Sequence, residues 1–412
     1  MTTSHGLPPV LAVCAAVLLS SPARAQDPAE AATRADLLAT IRAQKAETLA
    51  AYEPTKIEKT LLYLEEHRII ERLTIADGWY PRIGGLTTGG GFAGGAGYRK
   101  HLFGDDLFVD LSAAISTKAY KSVDVHVGYP ELLGGHLEVA TNLRWRDFPQ
   151  EDFFGLGNGS ALAMRSNFGL KGSDISGRVV VKPFRWLRLG GELGLFAPEI
   201  GRGTDPLYPA TQDLFTDAEA PGLSAQPDFR YQNLFVEVDY RDQPGNARSG
   251  GLWRAQFGMW NDRDLNQYDF GRFDGEVAHF FPIFDKKRVF ALRVGVSYVN
   301  NEPGHRVPFY FLPYIGGSDT VRGFREFRFR DENIIFMNAE YRWEAFSGLD
   351  MALFFDMGEV RDDWELIDFN DAKTSYGIGF RFNTFRSVFL RLDIGAGGRE
   401  GTRLFFKFGP AF

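Results

Sequence analysis

From Tyr80 to the end of the chain, apolar and polar residues alternate one by one in successive runs of about 9 to 12 residues, and this period of two constrains the fold more than any other feature. In Leu349 to Met357, Leu349, Met351, Leu353, Phe355 and Met357 share one face, while Asp350, Ala352, Phe354 and Asp356 share the other. Met337, Ala339, Tyr341 and Trp343 alternate in the same way with Asn338, Glu340, Arg342 and Glu344. Val388, Leu390, Leu392 and Ile394 alternate with Phe389, Arg391, Asp393 and Gly395. Such runs are strands with one apolar face, and their length is what a tilted strand needs to cross an outer membrane.

Alternation alone fits a soluble sandwich as well as a barrel in lipid. Charged residues recur on one face of nearly every run, as with Asp274 and Glu276, Arg188 and Glu192, or Glu138 and Arg144. On a lipid face a basic residue near the midplane costs about 2 to 4 kcal/mol, so the charged rows face a lumen. Tyr129, Trp145, Trp186, Trp260 and Trp343 fall at strand ends, where a membrane girdle would place them. Mean hydropathy of -0.21 and 24% charged residues exclude a bundle of membrane helices, but a barrel averages to such values. The net charge of -7 gives no nucleic-acid footprint.

The expected fold is all-β: a 16-stranded antiparallel transmembrane β-barrel over residues 80–412, preceded by a short helical segment. Strands are expected near 90–101, 106–116, 118–129, 135–146, 160–171, 175–184, 186–196, 229–241, 250–260 and 268–281. They continue near 288–300, 333–344, 349–358, 374–383, 387–396 and 402–412. With a periplasmic N-terminus, the long connections 197–228, 301–332 and 359–373 all fall outside, and the turns at 184–186 and 285–287 fall inside.

Residues 1–25 read as a secretory signal peptide, with an apolar core from Leu11 to Ser20 and Ala23-Arg24-Ala25 as the cleavage site, so the protein is expected in the outer membrane after export. Cleavage removes Cys14, the only cysteine. Residues 26–79 change texture. Thr33 with Asp36 and Thr55 with Glu58 have capping-box spacing, and Ile57, Leu61 and Leu64 share a helical face. This segment either shields its stripe against the main domain or plugs the lumen or its periplasmic mouth.

Gly316 to Phe324, GGSDTVRGF, interrupts the alternation in the long connection at 301–332. It resembles the loop signature of the bacterial surface antigen family, the BamA and TamA type of outer-membrane assembly and translocation factors. Asp152-Phe153-Phe154-Gly155-Leu156-Gly157-Asn158, the run from Asp239 through Asp242 to Arg248 and Gly250, and Phe354 to Gly358 match the family in order. Leu404, Phe406, Phe408 and Phe412 resemble its C-terminal insertion signal, all on one face. The resemblance covers Tyr80 to Phe412 and implies that the sixth outer loop folds into the lumen, with Arg322 paired to Asp356. Gly316, Gly317, Val321, Gly323 and Phe324 would shape that loop against the wall. The best-known members carry periplasmic polypeptide-transport-associated domains; residues 26–79 are too short for one, so the chain resembles a barrel-only subgroup.

The run Gly89 to Gly97 contains G-x-G-x-x-G without a following helix, which speaks against a nucleotide site. Read as the first strand, it would pair weakly with the last and leave a seam that can open to lipid. There is no G-x-S-x-G or His-Glu-x-x-His, and His126 and His136 read as isolated lumen groups, so no enzyme, cofactor or metal is expected. Two functions remain: a factor assisting insertion or translocation of polypeptide or another amphiphile, or a passive channel or structural barrel. Implied partners are outer-membrane lipid, unfolded or translocating polypeptide, and the machinery that inserts the barrel itself.

Overall fold

The computed structural model describes residues 77–412 apart from 88, 105, 347, 384–386 and 411. The expected signal peptide, and the 26–79 segment up to residue 76, lie outside the described residues.

Sixteen antiparallel strands form one sheet in chain order. The first seven are β1 (Gly78–Gly84), β2 (Ala93–Leu102), β3 (Leu107–Ser116), β4 (Lys121–Glu131), β5 (Leu137–Phe153), β6 (Ser166–Phe184) and β7 (Leu187–Arg202). Then come β8 (Phe229–Asp239), β9 (Gly250–Asp262), β10 (Phe270–Ile283) and β11 (Arg288–Asn301). Two short strands, β12 (Tyr314–Ile315) and β13 (Phe329–Arg330), pair only with each other inside the connection 302–332. The sheet resumes with β14 (Asn333–Phe346), β15 (Leu349–Arg361), β16 (Lys373–Asn383), β17 (Val388–Gly397) and β18 (Thr402–Lys407).

The expected total of sixteen is met, but two differences cancel to give it. The runs expected at 160–171 and 175–184 are the single 19-residue strand β6. Gly172, between those two runs, makes room for a ring: a Cβ there would lie 2.8 Å from Phe196 Cε2. The missing strand is β1, disguised by Pro81, which a strand with a neighbour on one side tolerates. The glycine-rich run is therefore not the first strand. It closes the β1–β2 turn and forms the start of β2, where Gly95, Gly94 and Ala93 oppose Arg82, Ile83 and Gly84.

This correction moves the connection 154–165 to the rim that carries 203–228, 302–332 and 362–372, whereas the expected strands put it at the opposite end. The other rim holds short turns such as 185–186 and 284–287, the arrangement of outer loops and periplasmic turns in outer-membrane barrels.

Burial follows the alternation. In β15, Asp350, Ala352, Phe354 and Asp356 are buried, while Leu353 and Phe355 point out. Leu193, Leu234, Leu404 and Phe406 are each about two-thirds exposed. So large an apolar outer surface suits lipid and would be unfavourable in water. Trp145 and Trp186 are exposed as a girdle requires, but Trp260 turns inward. Its ring packs on Phe311 of the long outer connection at 4.6 Å and stacks on Tyr231 at 4.4 Å. The expected lumen position fits His126, which bonds Asn142 at 2.7 Å, but His136 sits in the turn before β5.

The sheet is not closed among the described residues. β1 pairs only with β2, and β18 only with β17.

Candidate functional site

The connection 302–332 enters the lumen, and GGSDTVRGF is its tip. Gly316 and Gly317 have φ of 110° and 87°, a region that favours glycine. Thr320 Oγ1 accepts the Gly316 N–H at 2.8 Å and donates to the Gly316 carbonyl at 2.9 Å, and Gly317 N–H donates to the Phe324 carbonyl at 3.1 Å. Val321 and Phe324 pack in a buried cluster with Ile315, Phe329, Ile334, Phe336 and Val360, which joins the tip to β14 and β15.

This folding aims Arg322 at the wall. Its backbone N–H and Nε donate to Asp356 Oδ2 at 3.0 and 2.9 Å, and Nη2 donates to Oδ1 at 2.6 Å. Nη1 bonds Glu340. The guanidinium lies 3.7 Å from the centre of the Phe354 ring. Asn338 Nδ2 and Ser375 Oγ also donate to Asp356, at 2.8 and 3.1 Å. A planar fork is needed to make two parallel bonds while stacked on a ring, which a lysine cannot do.

The pair belongs to a larger ionic cluster. Arg381 bridges Glu340 at 3.0 Å and Asp393 at 2.6 Å, Arg342 bonds Glu340 at 2.6 Å, and Arg391 pairs with Asp393 at 2.9 Å. The Arg391–Asp393 contact is ionic only, since neither Arg391 Nε nor Asp393 Oδ2 has an aligned hydrogen bond. Arg391 Nη2 instead donates to the Ser318 carbonyl at 2.7 Å, a second tie to the loop. Asp356 and Asp393 are wholly buried. Burial alone would lower the Arg322 pKa, but Asp356 and Glu340 outweigh it and hold the guanidinium charged.

Glycines set the distance between loop and wall. A Cβ on Gly323 would collide with the Gly397 backbone and lie 2.6 Å from Ser375 Cβ, and one on Gly395 would lie 2.6 Å from the Arg322 carbonyl. Loop backbone therefore rests directly on strand backbone. The sequence motif marked Gly323 and Arg322 but assigned no role to Glu340, Arg381, Arg391, Asp393, Gly395 or Gly397. The alternation had placed Glu340, Arg391 and Asp393 on the charged faces, yet which strands converge on one loop is a tertiary fact.

The other motif stretches also reach the loop or the opposite mouth. Gly157 N–H donates to the Arg330 carbonyl at 2.9 Å, and Arg328 stacks on Phe154 and bonds Ser160 Oγ at 2.9 Å. At the periplasmic rim the turn 240–249 reaches inward: Arg248 Nη2 donates to both Asp350 oxygens at 2.9 and 2.8 Å. Val388 N–H donates to the Gly245 carbonyl at 2.9 Å.

Leu404 and Phe406 face outward, and Phe408 lies just past the end of β18. Phe412 departs from that face. Gly409, with φ of 99°, turns the chain, and the Phe412 ring lies near Phe280 and 4.8 Å from the Arg342 guanidinium, among lumen residues.

At the seam, a Cβ on Gly84, the outer end of β1, would lie 3.2 Å from the ring of Phe408, beyond the periplasmic end of β18. Above that point the free edge of β18 borders a cavity of about 770 Å³, lined by Leu404 and Phe406 from its outer face and Arg403 and Phe405 from its inner face. Along this stretch β18 has no neighbour beyond β17 among the described residues.

Residues 229–412 match the Omp85 superfamily domain. BamA from Haemophilus ducreyi lacking POTRA domains 1–3 has a similar fold, with a TM-score of 0.59 at 12% identity over 89% of this chain and 81% of that one. CdiB from Escherichia coli is similar with a TM-score of 0.53 at 12% identity, over 79% of this chain and 61% of that one. For CdiB from Acinetobacter baumannii the values are 0.50 and 14%, over 80% and 58%. The chain thus spans about three-fifths of the CdiB chains. No curated protein sequence matches it. The family match thus lies on the strands that hold the inward loop, and the sheet as a whole shares the barrel fold of these outer-membrane proteins.

Proposed function

We propose that the protein assists insertion or translocation of polypeptide or another amphiphile at the outer membrane by opening its β1–β18 seam, with Arg322 latching the loop that braces the wall beside it. The observation that carries this reading is the unpaired seam next to a braced wall. β14 to β17 are tied together through Arg322, Arg381 and Arg391, whereas β1 hangs from a β2 whose opposing residues are Gly94, Gly95, Ala96 and Gly97. Strain is then relieved at the seam before the latched wall yields. Export by residues 1–25, a periplasmic or lumenal place for residues 26–79, and recognition of the C-terminal aromatics by insertion machinery belong to the same reading. The role is non-enzymatic.

The test reconstitutes the purified protein in liposomes and follows the folding of another outer-membrane barrel into them. Acceleration that Arg322→Ala abolishes is the expected result; no acceleration by the wild type removes the reading. The passive-channel alternative is read in a planar bilayer, where a large steady conductance unaffected by Arg322→Ala would favour it. The loop packed in the lumen speaks against such a pore.

A further inference from the structure

The seam cavity has a polar end and an apolar flank, and its charges are unevenly satisfied. Arg165, Arg325 and Arg403 all line it. Arg165 is neutralised by Asp152, with bonds of 3.1 and 2.9 Å. Arg325 has no ion pair or side-chain hydrogen bond among the described residues. Arg403 makes one bond, from Nη2 to the Glu400 carbonyl at 3.2 Å, while its Nε is buried with no partner. The Glu400 carboxylate is taken by Arg328 at 2.5 Å. Of the acids that line the cavity, Asp152 is taken by Arg165, Asp205 accepts the Leu207 N–H at 3.0 Å and Glu326 Oε1 accepts the Tyr314 hydroxyl at 3.0 Å, while Glu151 is buried away from solvent.

Two guanidiniums with open donors, facing one cavity, call for an anion with several acceptor oxygens. The surroundings specify what carries it. Arg403 is the second residue of β18 from the outer rim, and from there Leu404, Phe406 and Phe408 descend the outward side. Exposed Phe92 lines the same cavity. A ligand with its charge at the Arg325–Arg403 level and hydrocarbon running inward along those side chains has the orientation of an outer-leaflet lipid.

We infer that the seam cavity holds one membrane lipid, its phosphate on Arg325 and Arg403 and its acyl chains along Leu404 and Phe406. This rests on the open-seam part of the proposed function and names a ligand of the seam: before a client strand reaches the free edge of β18, the lipid occupies its outer end. Neither arginine belongs to the Arg322 cluster, so the two sites can be disturbed separately.

The test is native mass spectrometry of the full chain released from bilayers containing phosphatidylglycerol or, separately, its headgroup-free diacylglycerol. The wild type should retain one phosphatidylglycerol, Arg325→Gln/Arg403→Gln about tenfold less, and neither should retain diacylglycerol. Unchanged heat-modifiable mobility on a gel establishes that the double variant is folded. If it is not, Arg325→Gln alone carries the test, since Arg325 lies in a loop and packs in no strand. Equal retention by wild type and variant overturns the inference, as does equal retention of the two lipids. Complete displacement by millimolar inorganic phosphate also overturns it, assigning a free-anion site. Folding acceleration is measured on the same preparations. Lost lipid retention with acceleration intact would leave the assembly reading standing, and the reverse outcome would separate them the other way.

Discussion

The two sides of the barrel use the same alternation to opposite ends. Along β1 to β7 the inward charges pair along a half-exposed lining: Arg82 on β1 reaches across β2 and β3 to Asp124 on β4 at 2.7 Å, and Arg144 on the neighbouring β5 meets it at 2.8 Å, with side chains 27% to 47% exposed. Along β14 to β17 comparable pairs are at most 3% exposed, because the loop tip covers them. Charge on an inward face is thus neutral information. The chain laid over it turns a solvated lining into a fastening, and the family match falls on that half.

Removing the fastening gives the largest expected effect. Arg322→Ala leaves Asp356 and Glu340 buried with one cation fewer and should cost about 3 to 5 kcal/mol, read as a lower unfolding midpoint in denaturant. Arg322→Lys should recover less than half of that, because a point charge cannot replace the fork. If Arg322→Ala and Arg82→Ala proved equally mild, the contrast between the two sides would be broken. Gly323→Val should cost about 1 to 3 kcal/mol by lifting the loop from Gly397, with the same readout. Arg248→Ala at the periplasmic mouth removes a charged hydrogen bond to the buried Asp350 and should cost about 1.5 kcal/mol, sharpening the idea that enclosure sets the effect. Arg144→Ala on the open side should cost less than about 1 kcal/mol and fade further in high salt.

The same contrast explains how much of the fold is legible in the sequence. Strand faces are legible because a lipid-facing charge is expensive, so Asp356, Glu340 and Asp393 declare their side of the wall through neighbour identity alone. Arg322 and Asp356 are legible as partners only through the motif, since no local pattern links residues on a loop and on the strand after next. Gly172 and Pro81 are of residue types that ordinarily interrupt strands, yet each lies inside one here. One accommodates the Phe196 ring, and the other sits on a strand with a single neighbour. Phe412 keeps to the expected spacing but not to the face, because β18 stops at Lys407 and Gly409 redirects the last residues of the chain.

The length of β6 has a consequence outside the membrane. Nineteen residues at about 3.3 Å each extend about 60 Å, and even strongly tilted they exceed an apolar band of about 25 Å. With β5 and β7 beside it, the excess forms a rigid parapet of hydrogen-bonded sheet above the outer surface. An antibody, phage or protease arriving from outside meets pleated wall there before it meets a loop, so proteolytic nicking of intact cells should spare residues 145–153 and 166–173 and concentrate elsewhere.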